Sequence, residues 1–418
     1  MAPRPPLFSR RQLNLIIFVT AAVIALLSVP TSPWPEFQRS VLRQVPLSYS
    51  TASAQPPELR LSFALPQQTL LPADAAELLQ LLLEQRLAQT ASAFKSNLHR
   101  DRLTLTITAT SPALLALALP QLAPLLRQPF EPEALIQVIK QHRAQQHLDR
   151  NQPSPLQSAD DWLQEQLPPS KNQKPNNLTD AAITQLQQQL FNRTQLRLSL
   201  TGSELEPITA ALSAALEQFG PIQSDPEQPN EKQSDQEHPS PNNTRATTQR
   251  PSAIDLSPVA GLQPLAGRQS PLFPQAVLLS RLLEALTPEA TLRLYSGSQT
   301  SWLVWLNPLQ TSSHWLEEQI TQIQQRLAAM KDWELERAGD DLLDQLEQRL
   351  EEPGVIAEQL EVIAFYQLPL DYLPQFEATI AGLTRAEIRQ QLLGLLQPER
   401  FSYPPTLATR LNNAASKP

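Results

Sequence analysis

The sequence predicts an α+β protein of two similar lobes, each a sheet packed with several helices, joined by a disordered linker and placed after an N-terminal membrane helix. Three observations carry this. Short alternating segments such as Leu59–Leu65 and Leu103–Ala109 are interleaved with long Leu- and Gln-rich helical stretches. The same mixture returns after a break in composition. A basic, then apolar, run opens the chain.

Arg4, Arg10 and Arg11 precede an apolar run from Leu13 to Val29, which Pro30, Pro33 and Pro35 end. Positive charge before such a run predicts a cytoplasmic N-terminus and an exported remainder. Ala52-Ser53-Ala54 lies too far downstream to serve as a cleavage site. The expectation is therefore an uncleaved inner-membrane anchor with the soluble part in the periplasm; the alternative is secretion to the periplasm after signal cleavage.

Residues 31–56 are rich in Pro and Ser and read as a tether. Leu59–Leu65 alternates like a half-buried strand, Ala73–Gln89 is helical, and Leu103–Ala109 is the cleanest strand pattern. Helices follow near 112–127 and 131–148, with Pro132 suited to a first turn. Then come a helix over Thr179–Leu190, a strand over Leu196–Leu200, a turn at Gly202 and a helix over Pro207–Phe219. From 221 to about 258 the chain is dominated by Pro, Gln, Asn, Ser, Asp and Glu, a composition with little to bury. Order is expected to resume near Leu272, with a helix at 274–286, strands at Leu292–Tyr295 and Trp302–Leu306, and helices at 313–330, 332–350, 353–366 and 384–396. The boundaries are 1–30 for the anchor or signal, 31–56 for the tether, 57–220 for the first lobe, 221–271 for the linker, 272–405 for the second lobe and 406–418 for a tail.

Composition narrows the chemistry. The 418 residues include no Cys, so thiolate ligands and a cysteine nucleophile are excluded. A net charge of -8 without a basic stripe argues against nucleic acid as a partner. Only 9 glycines, and neither a P-loop nor a dinucleotide fingerprint, argue against phosphate-cradling loops.

Three stretches together resemble the pitrilysin/insulinase family of zinc peptidases, its processing-peptidase-like branch above all. One is Leu196-Arg-Leu-Ser-Leu-Thr-Gly202 followed by a helix ending in Leu216-Glu-Gln-Phe219-Gly220. Another is Leu368-Pro-Leu-Asp-Tyr372, then Ile380-Ala-Gly-Leu-Thr384-Arg-Ala-Glu387-Ile388 and Leu396-Gln-Pro-Glu399. The third is Ala91-Ser-Ala-Phe94 ahead of the 103–109 strand, then Pro129-Phe130 ahead of a helix. Order and spacing carry the resemblance, which spans most of 57–405.

The resemblance makes 76–90 the family's zinc helix. Leu81 and Gln85 fall where the family has its two histidines, and Glu84 where it has its general-base carboxylate. The third ligand would fall in Lys140-Gln141-His142, on the 131–148 helix, which has no acidic residue between Glu133 and Asp149. Neither Leu nor Gln replaces an imidazole as a zinc ligand. His142 and His147, five apart, lie about 140° apart around a helix and cannot share a metal. The expectation is a catalytically inactive member with no catalytic residues, no metal and no cofactor.

The family also implies a peptide grip in the second lobe, for which Arg281, Arg293 and Tyr295 are the candidates. Arg293 and Tyr295 stand two apart on one strand and share a face. Trp302 and Trp305, three apart, point opposite ways, one toward the core. The implied role is a non-catalytic heterodimer partner of an active zinc-peptidase subunit, contributing chamber wall and contacts to a peptide or unfolded polypeptide, with the N-terminal helix in the membrane. The alternative is a stand-alone envelope scaffold or binding module with no peptidase role.

Overall fold

The computed structural model describes residues 34–51, 56–65, 75–90, 93–151, 180–219, 259–288, 290–306 and 315–401. The membrane-helix expectation (1–30), most of the linker (221–258) and the tail (406–418) lie outside the described residues. Among the described residues no helix is long and apolar enough to cross a membrane.

The first half supplies β1 (Gln38–Leu42), β2 (Val45–Ser50), β3 (Glu58–Ala64), α1 (Ala75–Leu87), β4 (Ala93–Leu98), β5 (Arg102–Thr108), α2 (Pro112–Ala118), α3 (Leu122–Arg127), α4 (Pro132–Asn151), α5 (Asp180–Leu190), β6 (Leu196–Thr201) and α6 (Glu206–Glu217). Its strands form one six-stranded sheet in the order β1-β2-β6-β3-β5-β4. Only the β2–β6 pair is parallel. The second half supplies β7 (Val259–Ala266), α7 (Phe273–Leu286), β8 (Thr291–Tyr295), β9 (Thr300–Leu306), α8 (Trp315–Ala329), α9 (Asp332–Leu350), α10 (Val355–Phe365), α11 (Tyr372–Ala381) and α12 (Arg385–Leu395). Its sheet has three antiparallel strands, β7-β9-β8. Among the described residues the second sheet thus has three strands and the first six. The described residues from Glu36 to Phe401 fall within one compact unit.

Period-2 alternation gives the large sheet an apolar face. Val45, Leu47, Leu59, Leu61, Phe63, Leu103, Leu105, Ile107, Leu198 and Leu200 are buried there in one cluster with Leu78, Leu79, Leu82 and Leu83 of α1 and with residues of α2, α3, α5 and α6. Each leucine so buried contributes roughly 1.5–3 kcal/mol. The other face carries Ser48, Ser50, Arg60, Ser62, Arg102, Thr104, Thr106, Ser199 and Thr201, and these are buried too. Helix α10, apolar over most of its length, packs on β2, β6 and β3. The half-exposed strand expected at 59–65 is thus covered on both sides, because a helix from the other half supplies the second layer.

Two segments differ from expectation. Within the stretch read as a tether, residues 38–50 form the β1–β2 hairpin, and β2 enters the sheet beside β6. Its two-residue turn, Arg43 and Gln44, has positive φ at both positions (49° and 68°), as a two-residue hairpin demands, but neither residue is Gly, Asn or Asp. Within the stretch read as linker, β7 already pairs with β9 from Val259. Pro264 in β7 is tolerated because β7 is an edge strand.

Candidate functional site

Helix α1 buries Leu78, Leu79, Leu82, Leu83 and Leu87 against the sheet. Its opposite face, at helical spacing, carries Glu77, Leu81, Glu84 and Gln85, all exposed. The three positions expected to match a zinc motif therefore share one outward face. Leu81 is an isobutyl group 42% exposed. The Glu84 carboxylate accepts from Gln80 Nε2 at 2.8 Å and from Ser96 Oγ at 3.0 Å. Gln80 Nε2 also reaches the Ser96 carbonyl at 3.3 Å. Glu84 thus fastens α1 to β4 and is already hydrogen-bonded on the side of the strand.

Helix α4 packs on α1. It brings His142, buried, to 3.9 Å from the Glu77 carboxylate, one turn before Leu81. Among the described residues no three His, Cys, Asp or Glu side chains come together in a way that could hold a metal. At the end of α1, Arg86 donates to the carbonyls of Leu125 (2.6 Å), Gln128 (2.8 Å) and Pro129 (2.9 Å) and stacks over Phe130. Gln187 of α5 donates to Leu126 and Gln128 carbonyls from the other side. The Pro129-Phe130 turn is thereby pinned to the helix that carries the degenerate motif.

Among the described residues strand β4 pairs in the sheet with β5 alone, and on its outer edge the Ser96 carbonyl takes the bond from Gln80. Alongside lies a groove of about 320 Å³ lined by Glu84, Leu87, Ala88, Phe94, Lys95, Ser96 and Asn97. Leu87, Ala88 and Phe94 give it apolar lining, and Glu84 and Lys95 are its charged groups.

In the second half, Arg293 and Tyr295 share a face of β8, opposite Val304 and Trp302 of β9. Arg281 lies on α7, where it pairs with Glu284 at 3.2 Å on its own helix. Trp305 is fully buried and edge-on to Phe401, whereas Trp302 is only partly buried and packs with Tyr295 against Leu262, Val304 and Leu306.

Sequence reasoning missed one polar cluster on the hydroxyl face of the large sheet. Glu361, buried on α10, accepts from Arg60 Nη1 (3.0 Å), Arg102 Nε (2.8 Å) and Thr104 Oγ1 (2.7 Å). Arg60 also pairs with Glu58 at 2.5 Å, and Arg102 with Asp101 at 3.1 Å. Tyr366 donates to Asp101 at 2.7 Å. Burial alone would push the Glu361 carboxyl up, but Arg102, Thr104 and Arg60 outweigh it and hold it below the usual carboxylate value. Burial, with Asp101 adding to it, pushes the Tyr366 phenol up to about 12. The available signals were arginines at two polar positions of Ser/Thr strands and a lone Glu within an apolar helix turn.

No family model matches the sequence, and no curated protein matches it. Solved structures do match. A peptidase M16 inactive domain from Pseudomonas fluorescens aligns with TM-score 0.63 at 16% identity, over 87% of this chain and 96% of that one. A protease from Helicobacter pylori aligns with TM-score 0.60 at 10% identity, over 88% and 98%. The first half of the periplasmic protease PqqL from Escherichia coli aligns with TM-score 0.57 at 11% identity, over 92% and 98%. At these identities the likeness is one of fold, and it is the fold that the sequence resemblance implies: the chain is built like the pitrilysin-type domains of M16 peptidases.

Proposed function

We propose that this chain is a non-catalytic insulinase-type protein of the bacterial envelope that serves as partner subunit to an active zinc peptidase. It contributes chamber wall and contacts to an extended peptide. The observation that carries the reading is the outward face of α1. There Leu81 and Gln85 cannot act as imidazole ligands and Glu84 is bonded to Gln80 and Ser96. That face borders the edge strand β4 and the groove beside it, where Leu87, Phe94 and Lys95 are the groups offered to a bound peptide. The likeness to an M16 inactive domain and to half of a periplasmic protease supports the same reading. The basic, apolar N-terminal run supports an inner-membrane anchor with the soluble part in the periplasm. Arg293 and Tyr295, on one face of β8, supply a second contact strip.

The test is affinity capture of the full chain from native membranes, followed by identification of what comes with it. Recovery of a shorter chain with an intact His-x-x-Glu-His, and chelator-sensitive peptidase activity only when both are present, is the expected result. Chelator-sensitive cleavage by this chain alone would overturn the reading.

A further inference from the structure

The hydroxyl face of the six-stranded sheet is unusual in being buried while made of Ser, Thr and Arg. Ser48, Ser50, Ser62, Thr104, Ser199 and Thr201 are each 4% exposed or less. Buried hydroxyls and guanidinium groups need partners, and here the central ones come from the other half of the chain. Glu361 takes one bond from β3 through Arg60 and two from β5 through Arg102 and Thr104, across sequence separations of 301, 259 and 257. Around it, Arg102 stacks on the rings of Phe365 and Tyr366 at 4.9 and 5.7 Å. Tyr366 crosses back to Asp101, and Arg39 of β1 donates to the Leu368 carbonyl at 2.8 Å. The contacts thus run from β1 to β5 on one side and from Glu361 to Leu368 on the other.

We propose that this face is a docking surface whose occupant is α10 with the turn that follows it, that Glu361 is its centre, and that it holds the two sheet-bearing halves together without help from the covalent connection through 221–258. A buried carboxylate held by two guanidinium groups and a hydroxyl is specific in a way an apolar contact is not: sliding α10 along the sheet by one turn, about 5.4 Å, would take the buried Glu361 carboxylate from all three of its donors. The docking also reaches the candidate site. Thr104, which holds Glu361, is paired in the sheet with Asn97, the neighbour of Ser96 that holds Glu84. The inference does not rest on the chain being a peptidase partner.

The test is to place a specific protease site within 221–258 of the full chain, cut it after folding, and dilute. The nicked protein is expected to co-elute as one species at micromolar concentration and below. Glu361→Ala, nicked in the same way, is expected to fall apart with a dissociation constant raised on the order of a hundredfold, since buried Arg60 and Arg102 lose the carboxylate that pairs with them across the interface. Glu347→Gln, at an exposed position of α9, is the control and is expected to behave as the parent. If Glu361→Ala does not fold, Tyr366→Phe is measured instead, and roughly tenfold weaker association is expected from loss of the bond to Asp101. Separation of the nicked parent at micromolar concentration, or association of the nicked variant as tight as the parent's, overturns the proposal.

Discussion

The Ser96 hydroxyl donates to the Glu84 carboxylate at 3.0 Å, and this bond joins the helix that carries the degenerate motif to the edge strand β4. With Gln80 donating to the same oxygen at 2.8 Å, Glu84 acts as a fastening between α1 and β4. Rebuilding the histidines therefore does not rebuild an enzyme. Leu81→His together with Gln85→His places two imidazoles four residues apart on an exposed face, a spacing that suits zinc. The double variant is expected to bind zinc at least about tenfold more tightly than the parent in calorimetric titration, because two ligands replace none. It is expected to remain inactive on peptides, since the third ligand is still missing and Glu84 is still held by Ser96. Zinc-dependent cleavage by the double variant would contradict this.

Arg86 tests the other end of the same helix. Its guanidinium satisfies three carbonyls at the end of α3 and covers Phe130. Arg86→Ala is expected to lower unfolding free energy by about 2 kcal/mol, a value set below the sum of three charged hydrogen bonds because two of them lie near solvent. Arg86→Lys is expected to recover little, since a point charge cannot bridge three carbonyls. Denaturant unfolding checks both.

Much of the fold could be read from local pattern. The alternation at 59–65, 103–109 and 196–200 gave β3, β5 and β6, and the three-residue spacing of Trp302 and Trp305 put them on opposite faces. What local pattern could not give was what lay on the polar side of those strands. Ser/Thr alternation reads as solvent-facing until a helix some 250–300 residues away covers it, and Glu361 sits at separations of 301 and 259 from its arginines. The β1–β2 hairpin was hidden by a turn of Arg43 and Gln44 in place of Gly or Asn, and β7 by Pro264 and Gly261. The face of α1 was legible from spacing, but the bond from Ser96 that holds Glu84 required knowing that β4 runs beside it.

Thr384 and Glu387 form a local device that the sequence states openly. The Thr384 hydroxyl accepts from the Glu387 amide at 3.3 Å, while the Glu387 carboxylate accepts from the Thr384 amide at 2.8 Å, closing a capping box at the start of α12. Thr384→Ala is expected to cost about 1 kcal/mol, and Thr384→Ser only a few tenths. Because α12 packs on α9 and α7, the loss is expected to appear as a lower melting temperature of the whole unit and not as fraying of one helix alone.

The buried cluster sets the response to pH at both extremes, with opposite signs. Glu361 has a folded pKa depressed below its unfolded value, so its contribution is present above the unfolded value near pH 4 and is lost as pH falls through the lower folded value. Glu361→Gln is therefore expected to be much less stable than the parent at pH 7, with the gap narrowing in acid below about pH 4 as the parent's carboxylate takes up its proton. Tyr366 and Tyr372 run the other way. Burial raises both phenols to about 12, so folding favours their neutral forms, and this contribution, intact below the unfolded value near 10, is lost as pH climbs from there toward 12. Tyr366→Phe cannot ionise at that position, so it is expected to be less stable than the parent at pH 7, through loss of the bond to Asp101, yet to lose less stability between pH 9 and pH 11.5. Urea titrations at pH 3, 7, 9 and 11.5 measure both slopes, and equal alkaline slopes for the parent and Tyr366→Phe would show that the phenol does not titrate as its burial against Asp101 requires.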